Sequence, residues 1–373
     1  MNENTLKEIS KRGQSIWLDY IRRDMFENGI LKKMIDEDDV KGMTSNPSIF
    51  EMAIAESTIY DSEIQRLALK NKDKNAIYEA ITQQDVQTAA DVFLPIYKHT
   101  NAHDGYVSLE VNPHLAHKTV ETIEEARRLW FALNRQNILI KVPASLEGLS
   151  AIRQLISEGI NVNVTLLFCL TRYKEVAEAY IAGLEDRVSQ GKSLQNISSV
   201  ASFFLSRIDS VIDPMEENYI ASGGEKNHFA TNIRGQVAIS SAKIAYKIYK
   251  EMFHSDRFMK LVHLGATPQR LLWASTKTKN PEYSDVKYVD ALIGRNTINT
   301  IPLETLEAYL DHGKPANSLD DHLEKASWVL SELSEMKINL KDVTAKLESD
   351  GIEKFIVAYD TLLEAIKGKI SQK

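Results

Sequence analysis

The segment Asn137-Ile-Leu-Ile-Lys141-Val-Pro-Ala-Ser145 sets one lysine in the middle of an apolar run. A continuous apolar run bounded by polar residues marks a strand covered on both faces, as in a parallel sheet. Lysine is among the residues least often fully buried. A desolvated ammonium gives up its proton more readily, and the resulting neutral amine can attack a carbonyl and form a Schiff base. The competing structural reading is a lysine at a strand end that reaches solvent or pairs with a carboxylate.

Other polar residues recur in the same setting. Ser15-Ile-Trp-Leu-Asp19 ends in a carboxylate, and Gly42-Met-Thr44-Ser-Asn46-Pro47 ends in polar residues before a proline. Ser108 and Glu110 stand two apart, as do Asn163 and Thr165, so each pair shares one side of its strand. Ser202, Phe204 and Ser206 continue the pattern. Each residue also has a structural reading: Asp19 as a helix cap, Asn46-Pro47 as a turn, Ser202 as a satisfied core hydroxyl. Buried polar groups nevertheless cost roughly 1–3 kcal/mol when unpaired. Chance is a poor explanation for six successive strand-like runs that carry them near one depth.

The set is chemically coherent. Lys141 is available as a nucleophile, and Asp19 and Glu110 can move protons directly or through a water. Asn46, Asn163, Thr165 and Ser202 can bind a polyhydroxylated substrate. Arg207 and Arg270 offer planar forks suited to a phosphate, with a surface ion pair as the alternative for each. This is the equipment of a Schiff-base aldolase acting on a sugar.

Groups held at one depth need a scaffold of repeated strands. The candidate strands are 15–20, 42–46, 105–111, 137–142, 161–168, 197–205, 259–265 and 287–292. Between them lie stretches of helical spacing, such as 119–134, 150–158 and 173–188. Strands alternating with helices imply parallel pairing through βαβ units, and eight such units close a (β/α)8 TIM barrel. The competitor is an open doubly wound sheet, but no Gly-x-Gly-x-x-Gly follows the first strand. Two helical regions, 51–101 and 302–373, read as additions to the barrel. No Pro/Gly/Ser-rich linker and no fixed-period repeat divides the chain, so one elaborated domain is expected.

The chain of 373 residues has ordinary globular composition, 43% hydrophobic and 26% charged, and a formal net charge of -7. That balance argues against a general nucleic-acid binder. The single cysteine, Cys169, permits no internal disulfide and fits a reducing compartment. A polar N-terminus and the lack of any apolar run near ~18 residues point away from a signal core or a membrane span, so the expected setting is cytoplasmic. The oligomeric state is left open, a homo-oligomer included.

These residues resemble the transaldolase family in its longer bacterial form, over nearly the whole chain. Gln14-Ser-Ile-Trp-Leu-Asp19 followed by Arg22-Arg-Asp24 is similar to the opening strand, and Gly42-Met-Thr-Ser-Asn-Pro-Ser-Ile-Phe50 to the first signature. Val107-Ser-Leu-Glu-Val111 resembles the acid-bearing strand and Ile138-Leu-Ile-Lys-Val-Pro-Ala144 the Schiff-base signature. Gly159-Ile-Asn-Val-Asn-Val-Thr-Leu-Leu-Phe168 and Ser202-Phe-Phe-Leu-Ser-Arg-Ile-Asp209 follow in order and spacing. The resemblance implies sugar-phosphate substrates. A dihydroxyacetone unit would pass from sedoheptulose 7-phosphate to glyceraldehyde 3-phosphate, giving erythrose 4-phosphate and fructose 6-phosphate. It further implies Lys141 as the Schiff-base lysine, and Glu110 and Asp19 as the acid/base pair, with Thr165 helping to hold a water. Asn46, Asn163 and Ser202 would bind the dihydroxyacetone hydroxyls, with Thr44 and Ser108 nearby, and Arg207 and Arg270 would clamp phosphate. No metal or organic cofactor is implied, because the iminium withdraws the electrons.

Some positions depart from the family pattern. Asn112 and His114 stand in place of Asp and Arg, Lys277 in place of a glycine, and Arg295-Asn296 in place of Pro-Asp. Lys277 and Arg295 would bear on the phosphate end of the pocket. The nearest rival is fructose 6-phosphate aldolase, whose shorter chains carry tyrosine where Phe204 stands. Phe204 cannot donate a proton, which favours transfer over cleavage. A barrel that binds sugar phosphate without catalysis is disfavoured by the intact set of Lys141, Glu110 and Asp19. The spacing His114-x-x-His117 suits two metal ligands on one helical turn, but it lies in a charged stretch expected to be exposed.

Overall fold

The computed structural model describes residues 4–221 and 233–371. Eight parallel strands close into a barrel in strict sequence order, with the first pairing to both the second and the last. They are β1 (Gln14–Asp19), β2 (Val40–Thr44), β3 (Val107–Glu110), β4 (Ile138–Pro143), β5 (Val162–Leu167), β6 (Ser199–Phe204), β7 (Arg270–Ala274) and β8 (Thr297–Ile301). Every residue of β3 to β8 is buried, as expected of strands sealed inside by side chains and outside by helices. The architecture is a (β/α)8 TIM barrel.

The last two strands lie elsewhere than the sequence reading puts them. Most of the stretch 259–265 belongs to the helix Asp256–Val262, capped by Ser255, whose side chain accepts from the Phe258 amide. Its buried residues, Phe258 and Leu261, are spaced for a helix face. The stretch 287–292 is a short helix, Lys287–Ala291, burying Tyr288 and Val289. In so short an apolar run, period 2 and period 3.6 are hard to tell apart. The true β7 and β8 follow each of these helices.

Helices over 51–101 include Asp61–Ala68 and Lys74–His99, and after β8 come Leu303–His312, Leu323–Glu335 and Leu340–Ser371. The last of these runs 32 residues. It packs against Pro47–Ala55, which follows β2, and against Lys74–His99. It therefore crosses the C-terminal mouth of the barrel. No helix among the described residues is long and apolar enough to cross a membrane.

Candidate active site

Strand ends deliver the polar residues to the C-terminal mouth. Asp19, Thr44 and Glu110 are the last residues of β1, β2 and β3, and Lys141 precedes the end of β4 by two residues. Register carries them round the barrel: Asp19 pairs with Thr44, Glu110 with Lys141, and Lys141 with Asn163. A cavity of about 250 Å³ opens above them, lined at its floor by Asp19, Thr44, Asn46, Lys141, Thr165, Ser202 and Thr300. Its rim is basic on one side, with Arg207, Lys277 and Lys279, and apolar on the other, with Ile49, Met52 and Phe355.

Lys141 is only 4% exposed. Its Nζ donates to the Ser45 carbonyl at 3.0 Å and lies 3.4 Å from Glu110 Oε2. Neither Glu110 oxygen has a hydrogen-bond partner, and the buried Thr165 Oγ1 also lacks one. Burial raises the Glu110 carboxyl to about 7, and the Lys141 ammonium only partly opposes that rise. Asp19 is raised as well, by burial first, with Lys141, its hydrogen bond to Thr44 and Arg207 pulling back. Thr44 Oγ1 donates to Asp19 Oδ1 at 2.6 Å and stands 2.7 Å from Thr300 Oγ1, so this carboxylate is oriented at the cavity wall.

Asn46 both caps and faces the cavity. Its side-chain oxygen accepts from the Ile49 amide at 3.0 Å, starting the helix Pro47–Ala55. Ser108 and Asn163 are fully buried below the cavity floor and are not among its lining residues. Asn163 Nδ2 donates to Ser108 Oγ at 3.0 Å, and Ser202 Oγ donates to Asn163 Oδ1 at 2.6 Å. The pair thus orients Ser202, which does line the cavity. Backbone strain gathers at the same place: Leu166, after Thr165, and Ser275, after β7, both adopt left-handed conformations, with φ of 56° and 55°. The Leu166 distortion coincides with a register shift between β5 and β6.

Arg207 is the second residue of the helix after β6, Ser206–Ala221, with its guanidinium carbon 5.6 Å from the Phe204 ring centroid. Its buried Nη1 has no hydrogen-bond partner. Arg270 stands at the opposite end. As the first residue of β7 it faces the floor of the barrel, where it pairs with Asp104 at 2.9 Å and donates to Ser15 at 3.0 Å. The expected phosphate clamp from Arg270 is corrected accordingly, because a misplaced seventh strand had put this residue at a C-terminal end. Arg295 and Asn296 precede β8 and so lie at the far end too, with the Arg295 side chain against Gly13. Lys277, flagged as a departure, and Lys279, not singled out in the sequence, supply the rim cations; Lys277 pairs there with Glu304.

His114 and His117 do not converge. His114 stands 2.9 Å from Asp360 and His117 3.2 Å from Glu147. Among the described residues no group of three or more His, Cys, Asp or Glu side chains is placed to hold a metal.

Fold and site define an enzyme of the (β/α)8 barrel class, with a buried lysine and two raised carboxyls beneath a cavity edged with cations. The chain belongs to the transaldolase/fructose-6-phosphate aldolase family, whose model matches residues 16–366. It is 45% identical to a transaldolase of Trichodesmium erythraeum, across 100% of this chain and 99% of the relative. It is 44% identical to one of Thiobacillus denitrificans, across 97% and 99%. A transaldolase of Saccharopolyspora erythraea is 42% identical, across 99% and 98%.

Proposed function

We propose that this protein is a transaldolase of the pentose phosphate pathway, moving a dihydroxyacetone unit from sedoheptulose 7-phosphate to glyceraldehyde 3-phosphate. The observation that carries the reading is Lys141, buried at the C-terminal end of β4, open to the cavity and 3.4 Å from Glu110. The Lys141 amine attacks the donor ketone carbon. Glu110 then gives a proton to the hydroxyl of the resulting carbinolamine, which departs as water and leaves the iminium. Asp19, on the cavity wall, takes the proton of the donor's C4 hydroxyl as the C3–C4 bond breaks. The C4–C7 fragment departs as the aldehyde erythrose 4-phosphate, and the electron pair left on C3 is delocalised into the iminium. That carbon next attacks the acceptor aldehyde, Asp19 returns its proton to the new alkoxide, and water hydrolyses the iminium to free the product and Lys141.

The buried, unpartnered Glu110 and Thr165 oxygens suit a shared water at the first and last steps. Asn46 and Ser202 hold the dihydroxyacetone hydroxyls. Arg207, Lys277 and Lys279 meet the phosphate. The helices of 51–101 and 302–373 belong to the same domain as the barrel and wall its mouth. The assay is erythrose 4-phosphate formed from sedoheptulose 7-phosphate and glyceraldehyde 3-phosphate, beside free dihydroxyacetone released from fructose 6-phosphate alone. Transfer much faster than release is expected. Rapid release without acceptor would replace this reading with that of a fructose 6-phosphate aldolase.

A further inference from the structure

Gly351 lies inside the long helix Leu340–Ser371, where it is buried. Glycine within a helix costs roughly 1 kcal/mol relative to alanine, so a side chain's absence here calls for a reason. A Cβ placed on Gly351 would lie 3.0 Å from Leu166 Cδ2 and 3.4 Å from Arg207 Nη1. Leu166 is 1% exposed and already holds a left-handed backbone, so it has little room to yield. Arg207 rests on its other side near the Phe204 ring. Its Nη1 is held by no hydrogen bond. Packing between an aromatic face and a bare turn of helix therefore fixes the guanidinium, and at least one donor stays uncommitted. One turn further along, Phe355 lines the cavity.

We propose that Gly351 is a positioning residue: by presenting bare backbone to Arg207 it sets the guanidinium where phosphate is read, and so sets the preference for phosphorylated substrates. The inference rests on Arg207 being a phosphate partner. A second glycine of the same helix, Gly368, has nothing within 4 Å of a built Cβ and serves as the control.

The experiment compares wild type, Gly351→Ala, Gly368→Ala and Arg207→Ala, with fructose 6-phosphate saturating as donor, either erythrose 4-phosphate or erythrose as acceptor, and released glyceraldehyde 3-phosphate as the readout. Displacing a binding group by an ångström can cost ~10²-fold. Relieving the 3.0 Å contact with Leu166 moves this turn of helix and its neighbours by a few tenths of an ångström beside Arg207, which is expected to lower the ratio of kcat/KM for the phosphorylated over the plain acceptor by about three- to tenfold in Gly351→Ala, chiefly through KM. Gly368→Ala should keep the ratio of wild type, and Arg207→Ala should lower it further than Gly351→Ala does. An unchanged ratio in Gly351→Ala beside a lowered one in Arg207→Ala overturns the inference and leaves the phosphate reading standing. So does an equal loss for both acceptors, or failure of Gly351→Ala to fold, since either assigns Gly351 to helix packing alone. An unchanged ratio in Arg207→Ala removes both.

Discussion

The two ends of the barrel each hold a buried cation beside a buried carboxylate, and they are finished differently. At the N-terminal end, Arg270 pairs with Asp104 and also donates to Ser15 and the His103 carbonyl. Asp104 accepts further from Ser15 at 2.7 Å and from Trp17 at 3.1 Å. Burial raises this carboxyl, yet Arg270, His103 and Ser15 outweigh it and hold Asp104 below its ordinary range. His103 is pushed down to about 4 by burial and by Arg270, so it is neutral near pH 7. At the C-terminal end, Lys141 and Glu110 stand 3.4 Å apart, and Glu110, Thr165 and Arg207 all keep polar atoms without hydrogen-bond partners. A satisfied buried pair stabilises one geometry, whereas an under-satisfied one keeps its groups available to a substrate. Residue type alone does not separate these two pairs; the count of their hydrogen-bond partners does.

Breaking either end should show the difference. The largest effect is expected from Lys141→Arg, which should abolish transfer while the circular dichroism spectrum and melting profile stay native, because a guanidinium remains protonated and cannot attack. Glu110→Gln comes next, with a loss of about 10²–10⁴-fold in kcat. In the parent, the step that needs protonated Glu110 should slow as pH rises through about 7, and pH–rate profiles should show that limb vanish in Glu110→Gln. Stability has the same sign. The folded carboxyl binds its proton more tightly than the ordinary value of 4.5, so its contribution is full at low pH and is lost as pH rises through about 7. Urea titration at pH 8 should therefore find Glu110→Gln no less stable than the parent.

The other end should respond in stability and not in chemistry. Arg270→Met leaves Asp104 charged and buried, a change worth about 3–5 kcal/mol. Urea unfolding should show that loss while kcat of the folded enzyme is retained; a large fall in kcat at unchanged stability would erase the contrast between the ends. Asp104 contributes above its unfolded pKa and its contribution fades as pH falls through the lowered folded value, so acid should narrow the gap between Arg270→Met and parent. The smallest effect is expected from Phe204→Tyr. Its phenol can donate a proton near the enzyme-bound carbanion, so free dihydroxyacetone released from fructose 6-phosphate should rise relative to transfer, and an unchanged ratio would deny Phe204 any part in suppressing cleavage.

Much of the site was legible in the sequence because polar residues at period 2 inside apolar runs can point only a few ways. Asp19, Thr44, Asn46, Lys141, Thr165, Ser202 and Arg207 all reach one cavity. Sequence alone makes Ser108 and Asn163 candidate substrate contacts, but they sit one layer below the cavity lining, and depth along a strand is set by barrel tilt and not by spacing. β7 and β8 escaped because the helices before them carry short apolar runs of their own, and that error carried Arg270 to the wrong end. Lys279, Gly351 and Phe355 had no local signal. Gly351 and Phe355 come from a helix far along the chain from the strands that hold Lys141 and Arg207, and only the closed barrel brings them there.

The most direct test of Lys141 as the group left open for chemistry is to incubate the protein with fructose 6-phosphate, reduce with borohydride, and map the adduct by peptide mass. One dihydroxyacetone-derived adduct is expected, on Lys141, absent from Lys141→Arg and retained in Arg270→Met. Label on another lysine, or none at all in an enzyme that still transfers, would contradict it.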